Sequence, residues 1–192
     1  MALLLSKVLK TSKKLLKWLN NRPTLLISIG FFIFSVGMVH YHQLRILSFS
    51  QAPAAAVKST QNLDIPVEIL IPSINIDLNV DPGQIKDGVW QISDSNATFL
   101  DISASPGVGG NVVIYGHNKK AIFGNLPYLS IGQKIYVKTK SGKIYNYIAD
   151  QKYFVGTDRV DLVSPTNGEV LTIYACYGMF DLQRIVIVAK PI

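Results

Sequence analysis

The chain is poor in the residue types that usually announce chemistry. Among 192 residues there is one cysteine, Cys176, so no internal disulfide can form and redox compartment cannot be read from pairing. Beyond residue 44 there is one histidine, His117. Acid is also scarce, with 12 Asp and Glu against 19 Lys and Arg, a net charge of +7. That excess does not make a nucleic-acid surface. Six of the basic residues (Lys7, Lys10, Lys13, Lys14, Lys17 and Arg22) lie in residues 1–23, which contain no acid. The other 13 face all 12 acids, so the main body is nearly neutral and carries no large footprint for a phosphate backbone. No internal repeat occurs.

Charge is missing altogether from Pro23 to Leu44, around the apolar run "TLLISIGFFIFSVGMV". At about 1.5 Å per helical residue such a run reaches across a hydrocarbon core of roughly 30 Å. His40, Tyr41 and His42 would stand at headgroup level. Residues 24–44 are therefore expected to be a single-pass transmembrane anchor. The basic segment 1–23 is expected in the cytoplasm and the C-terminal domain outside it. The small residues of "APAAA" (52–56) also allow a cleaved signal peptide, but residues 40–51, with Arg45, separate them from the apolar run. Residues 3–19 have the pattern of a basic amphipathic helix on the inner leaflet, and equally of a charged flank that only sets orientation.

Residues 45–64, with "SFSQAPAAAVKSTQN", read as a flexible linker, and the folded domain as 65–192. Within it "PVEILIP", "GVWQIS", "NVVIYGH", "QKIYVKT", "KIYNYIADQKYFV", "EVLTIYAC" and "RIVIVAK" are short Val/Ile/Tyr-rich runs set between Gly, Pro, Asn and Asp. "TKSGKIY" predicts a hairpin around Ser141-Gly142. Only residues 121–129 suggest a helical turn, limited by Pro127. About eight strands predict an all-β barrel or sandwich.

His117, Cys176 and Arg184 each fall at a strand end, where a scaffold presents side chains to a site. A thiolate is the reactive form of cysteine, and a nearby cation favours it. An imidazole can protonate a leaving amine, whereas a guanidinium keeps its charge and serves to stabilise an oxyanion or hold carbonyls. The trio suffices for acyl transfer through a thioester. From composition alone, a lone cysteine among Ile, Tyr and Ala is more often core filler than a nucleophile.

The segment "ASPGVGGNVVIYGHN" resembles the sortase pattern of a Gly-rich turn, an Asn-led strand and Gly-His. "TIYACYGMFDLQRIVIVA" resembles that family's T-L-x-T-C signature followed by a short loop and an arginine opening the last strand. "IPSINIDLNV" resembles its early strand, and the order agrees from about Ile65 to Ile192. The resemblance implies an eight-stranded sortase-type β-barrel with His117 as catalytic histidine, Cys176 as nucleophile and Arg184 as the arginine that positions substrate. It implies cleavage of a C-terminal LPxTG-like sorting motif and transfer to an amine of peptidoglycan or a pilin-type protein. No cofactor is implied, and no carboxylate cluster of the calcium-stimulated members is evident, so no metal is expected.

The departures are Ala175 for the family's Thr and Ile173 for its Leu. The first bears on motif preference and rate. The seven residues between Cys176 and Arg184 resemble the housekeeping or pilin-type classes more than the haem-protein-anchoring class. No N-terminal lid or second membrane span is evident, which argues against a pilin polymerase. The class stays open between D/E/F-like and housekeeping-like. L,D-transpeptidases place Gly directly before the cysteine, and papain-like peptidases place Cys ahead of His; neither pattern fits. A degenerate sortase acting as a membrane-tethered binding or scaffold module is the alternative of a different class.

Overall fold

In the computed structural model, residues 23–44, 47–53 and 64–192 are described; the basic segment 1–22 and linker residues 54–63 lie outside them. The chain divides into two compact units, residues 1–44 and 45–192.

In the first unit, α1 (Pro23–Leu44) is a 22-residue helix, so the uncharged run is helical as expected. Its residues from Leu26 to Val39 include exposed Ile, Leu, Phe, Val and Met on every side. Among the described residues no helix is long and apolar enough to cross a membrane. The helix reaches about 33 Å only with its polar His40–Gln43 end included.

The second unit is built of strands β1 (Pro66–Ile71), β2 (Ile76–Gly83), β3 (Ile85–Lys86), β4 (Val89–Trp90), β5 (Ala97–Leu100), β6 (Asn111–Gly116), β7 (Lys134–Thr139), β8 (Ile144–Val155), β9 (Val170–Tyr177) and β10 (Gln183–Pro191). Eight of them close a barrel in the order β1-β2-β5-β6-β9-β10-β8-β7, and β1 pairs back to β7. β2–β5 and β6–β9 are parallel; the other barrel pairs are antiparallel. β3 and β4 form a separate two-residue hairpin.

The expected hairpin is present, with Gly142 at φ 87° in the left-handed region that suits glycine. Asp64 ties it down by accepting bonds from the Ser141 amide and hydroxyl and from the Thr139 hydroxyl. Residues 121–129 are turns with one 3-10 turn over Leu126–Tyr128, which contains Pro127. "GVWQIS" contributes only β4, outside the barrel. The eighth barrel strand is instead β5, whose four residues are all buried and so show no alternation to read.

β6, β9 and β10 are covered on both faces, which is why they read as unbroken apolar runs. Val112, Ile114, Ile173, Ala175, Ile185 and Ile187 fill the barrel interior. The alternate residues Val113, Tyr115, Tyr174, Cys176 and Val186 join a second core outside it, with Trp90, Leu100, Val163, Leu47 and Phe49. Leu47 and Phe49 correct the reading of 45–64 as a free linker. Leu47–Pro53 lies as a strap over this outer face. Tyr174 Oη donates to Leu47 O at 3.2 Å, the Trp90 amide to Ser48 Oγ at 3.2 Å, and the Ser50 amide to Thr157 O at 2.8 Å. Phe49 packs edge-on to Tyr174, ring centroids 5.0 Å apart.

Candidate active site

Strand register assembles the site. β6 and β9 run parallel with Gly116 opposite Ala175, so His117 follows β6 at the level of Cys176. β9 and β10 run antiparallel with Cys176 directly opposite Arg184. The three residues singled out in the sequence thus lie in one row across three neighbouring strands. Gly116 matters here, because a Cβ would sit 2.9 Å from the Phe123 ring and 3.0 Å from Ile122 Cγ2. Only a glycine lets the turn after His117 fold back so closely.

Cys176 belongs to the outer core and is 2 % exposed. Burial pushes its thiol up to about 12; Arg184 opposes the rise and Asp181 adds to it. The His117 imidazole is shifted down from its ordinary value, first by burial and then by Lys119, against Asp94 and Asp181. Its Nε2 lies 3.6 Å from Oδ1 of the exposed Asp94, too far for a good hydrogen bond. At neutral pH the covered site therefore holds a neutral thiol and a neutral imidazole.

Arg184 is equally buried. Nη1 donates to the carbonyls of Asp181 at 2.7 Å and Gln183 at 2.9 Å, and Nη2 to that of Ser48 at 3.1 Å. Among the described residues no carboxylate forms an ion pair with it. The Asp181 carboxylate instead accepts from Asn118 Nδ2 at 2.9 Å, which ties the loop after β9 to the loop after β6. A buried cation neutralised only by carbonyl dipoles is costly in a low-dielectric setting. It repays that cost when negative charge develops beside it.

Beneath the row the outer face is aromatic. Tyr115 and Tyr174 stack at 5.3 Å with an interplanar angle of 10°, and Trp90 meets both edge-on. Tyr115 Oη also donates to Gln91 O. Sequence reasoning missed this floor, Asp94, the Asn118–Asp181 link and the strap. The one signal for the strap was Phe49, an aromatic in an otherwise small and polar stretch. Ala175 is turned into the barrel interior, away from Cys176.

A closed β-barrel with histidine, cysteine and arginine in one row on its outer face is a scaffold suited to thiol-based acyl transfer. A family model described as a sortase domain matches residues 69–192, most of the chain. The chain belongs to the sortase family, the cysteine transpeptidases. Among solved structures it is similar to sortase C1 of GBS Pilus Island 1 (22% identity, 73% of this chain and 74% of that one, TM-score 0.58). It is similar also to sortase C from Clostridium perfringens SM101 (25%, 67% and 70%, 0.56). A third is the Clostridium perfringens sortase D5 transpeptidase (24%, 67% and 79%, 0.57). We found no match among curated proteins.

Proposed function

We propose that the protein is a membrane-anchored sortase that cleaves a C-terminal LPxTG-like sorting motif through a thioester on Cys176. It then passes the acyl group to an amine of the cell wall or of another surface protein. The observation that carries this reading is the buried guanidinium of Arg184, held by three main-chain carbonyls and directly opposite Cys176 in register.

In the reaction the Cys176 proton passes to His117 and the sulfur attacks the carbonyl carbon of the Thr–Gly bond. Arg184 stabilises the oxyanion. The C–N bond breaks, His117 returns the proton to the leaving amine, and a thioester remains. The acceptor amine attacks the thioester, loses a proton through His117, and the thiol is restored.

The exposed Ile, Leu, Phe, Val and Met side chains of α1 between Leu26 and Val39 support an anchor, because a helix stretch with apolar residues all round needs a protein core or a bilayer around it. The basic residues before it support a cytoplasmic N-terminus.

The test is the full chain in detergent with LPxTG-like peptides and an added amine: amide product and a trapped acyl group on Cys176 are expected. The near-complete burial of Cys176 also suits a scaffold without catalysis. A thiol reagent that leaves Cys176 unlabelled, together with equal partner binding by Cys176→Ala, would favour that reading instead.

A further inference from the structure

We infer that Asp94 is a positioning residue for His117: its carboxylate closes on the Nε2–H of the imidazole and leaves Nδ1 to exchange the proton with the Cys176 sulfur. The inference rests on the acyl-transfer reading of this row.

A histidine that takes a proton from a thiol becomes a cation. Which nitrogen works is set by what the other one touches. Nε2 of His117 is buried and, among the described residues, has no hydrogen-bond partner. An orphaned buried polar atom is costly, so a group within reach gains by closing on it. Asp94 Oδ1 stands 3.6 Å away. That separation is long for a neutral ring, and contacts of this kind tighten in the working complex as charge develops.

The Asp94 carboxylate is exposed, yet the loop that carries it is held in place. Lys119 Nζ donates to Asp94 O at 3.2 Å, and the Ser93 amide to Thr98 Oγ1 at 3.0 Å. The Asn96 amide donates to Ser93 Oγ at 3.2 Å, and Asn96 Nδ2 to Asp81 Oδ2 at 3.0 Å. Lys119 comes two residues after His117, so the loop after β6 itself holds the loop before β5 beside the imidazole. Support of this kind keeps a functional side chain in its working geometry.

The charges around the ring single out Asp94. Lys119 disfavours the imidazolium, whereas Asp94 and Asp181 favour it. Cys176 on β9 and Arg184 on β10 complete the row. The Asp181 carboxylate already accepts from Asn118 Nδ2 at 2.9 Å. Asp94 is thus the carboxylate better placed to follow the ring as it becomes charged.

The full chain in detergent, carrying ¹⁵N-labelled histidine, reports the His117 ring nitrogens by NMR; His117→Gln identifies their signals against those of His40 and His42. The neutral ring should carry its proton on Nε2. Asp94→Asn should mix the tautomers and move the titration to lower pH, because the lost carboxylate favoured the charged form. With an LPxTG-like peptide and an added amine, the acid limb of kcat/KM should move the same way. Its plateau should fall about two- to fivefold, the range expected of an exposed ion pair. Asp94→Glu should recover both, and Asp181→Asn should shift the limb less. A merely structural loss would lower the plateau without moving the limb.

An unchanged tautomer and titration in Asp94→Asn would overturn the inference. So would a moved titration with an unaltered kcat/KM profile, or an equal shift in Asp181→Asn, which would show a general field rather than a pair. A titration that answers to Asp94 in a protein that turns over no sorting peptide would keep the pair and remove the acyl-transfer reading instead.

Discussion

Arg184 Nη2 donates to the main-chain carbonyl of Ser48 at 3.1 Å, a bond between residues 136 positions apart. The strap thereby supplies to the arginine the kind of group that a substrate peptide would offer, and it does so beside the cysteine. The site is formed but covered.

Cys176→Ala should abolish peptide cleavage and amine transfer. Arg184→Ala should lower turnover by about 10²–10³, the usual consequence of losing an oxyanion donor. Because the guanidinium is buried on three carbonyls, the same change should also cost on the order of 2 kcal/mol in stability. Arg184→Lys, which restores charge without the planar fork, separates the two effects: stability partly recovers and turnover does not. Steady-state assays beside thermal melts check this, and full turnover in Cys176→Ala would end the mechanism.

Phe49→Ala removes the strap's aromatic anchor on Tyr174 and Trp90. Losing only about 1.4 kcal/mol of strap closure would raise the open population about tenfold. Alkylation of Cys176 by a small reagent should accelerate accordingly. An unchanged rate would mean that the strap does not limit access.

The thiol of Cys176, pushed up to about 12 by burial, ionises only far above neutral pH. Its alkylation rate in the covered state should climb about tenfold per pH unit from 7 to 9 with no plateau, since thiolate is the reacting form. In Phe49→Ala, relief from burial should move the curve toward lower pH. A plateau below pH 8 in the unaltered protein would show that the cation at Arg184 outweighs burial.

Ala175→Thr restores the family's hydroxyl, yet the side chain lies in the barrel interior among Ile173 and Ile185. The variant should lose about 1–3 kcal/mol by burying an added polar group. Its ranking of a sorting-peptide library should stay as it was. A changed ranking would return this position to the site.

Protease added outside intact cells should remove the domain and spare residues 1–23. Protection of the whole chain would reverse the proposed orientation. A tag placed before Met1, detected by blotting, reads the result.

The strand-rich domain was legible because β1, β6, β7, β8, β9 and β10 each carry a Val/Ile/Tyr run closed by turn residues. Those runs follow from side-chain shape and local backbone preference. β5 was not legible, since four residues buried on both faces have no period. "GVWQIS" misled for the converse reason: Trp90 is apolar to cover the outer face, not to pair in the barrel.

The chain also wrote down its three candidate chemical groups, and their positions at strand ends placed them on a rigid scaffold. Nothing in one dimension says that a residue after β6, another in β9 and a third in β10 share a row. That comes from one parallel and one antiparallel register, fixed by the hydrophobic faces of both cores. Nor does it say that Ala175 faces inward while Cys176 faces out, or that the small polar stretch after α1 lies over the guanidinium. Composition and local propensity determined most of the strands, the helix and the three candidate residues. The pairing of distant segments decided which faces were buried, what environment the thiol has, and what covers it.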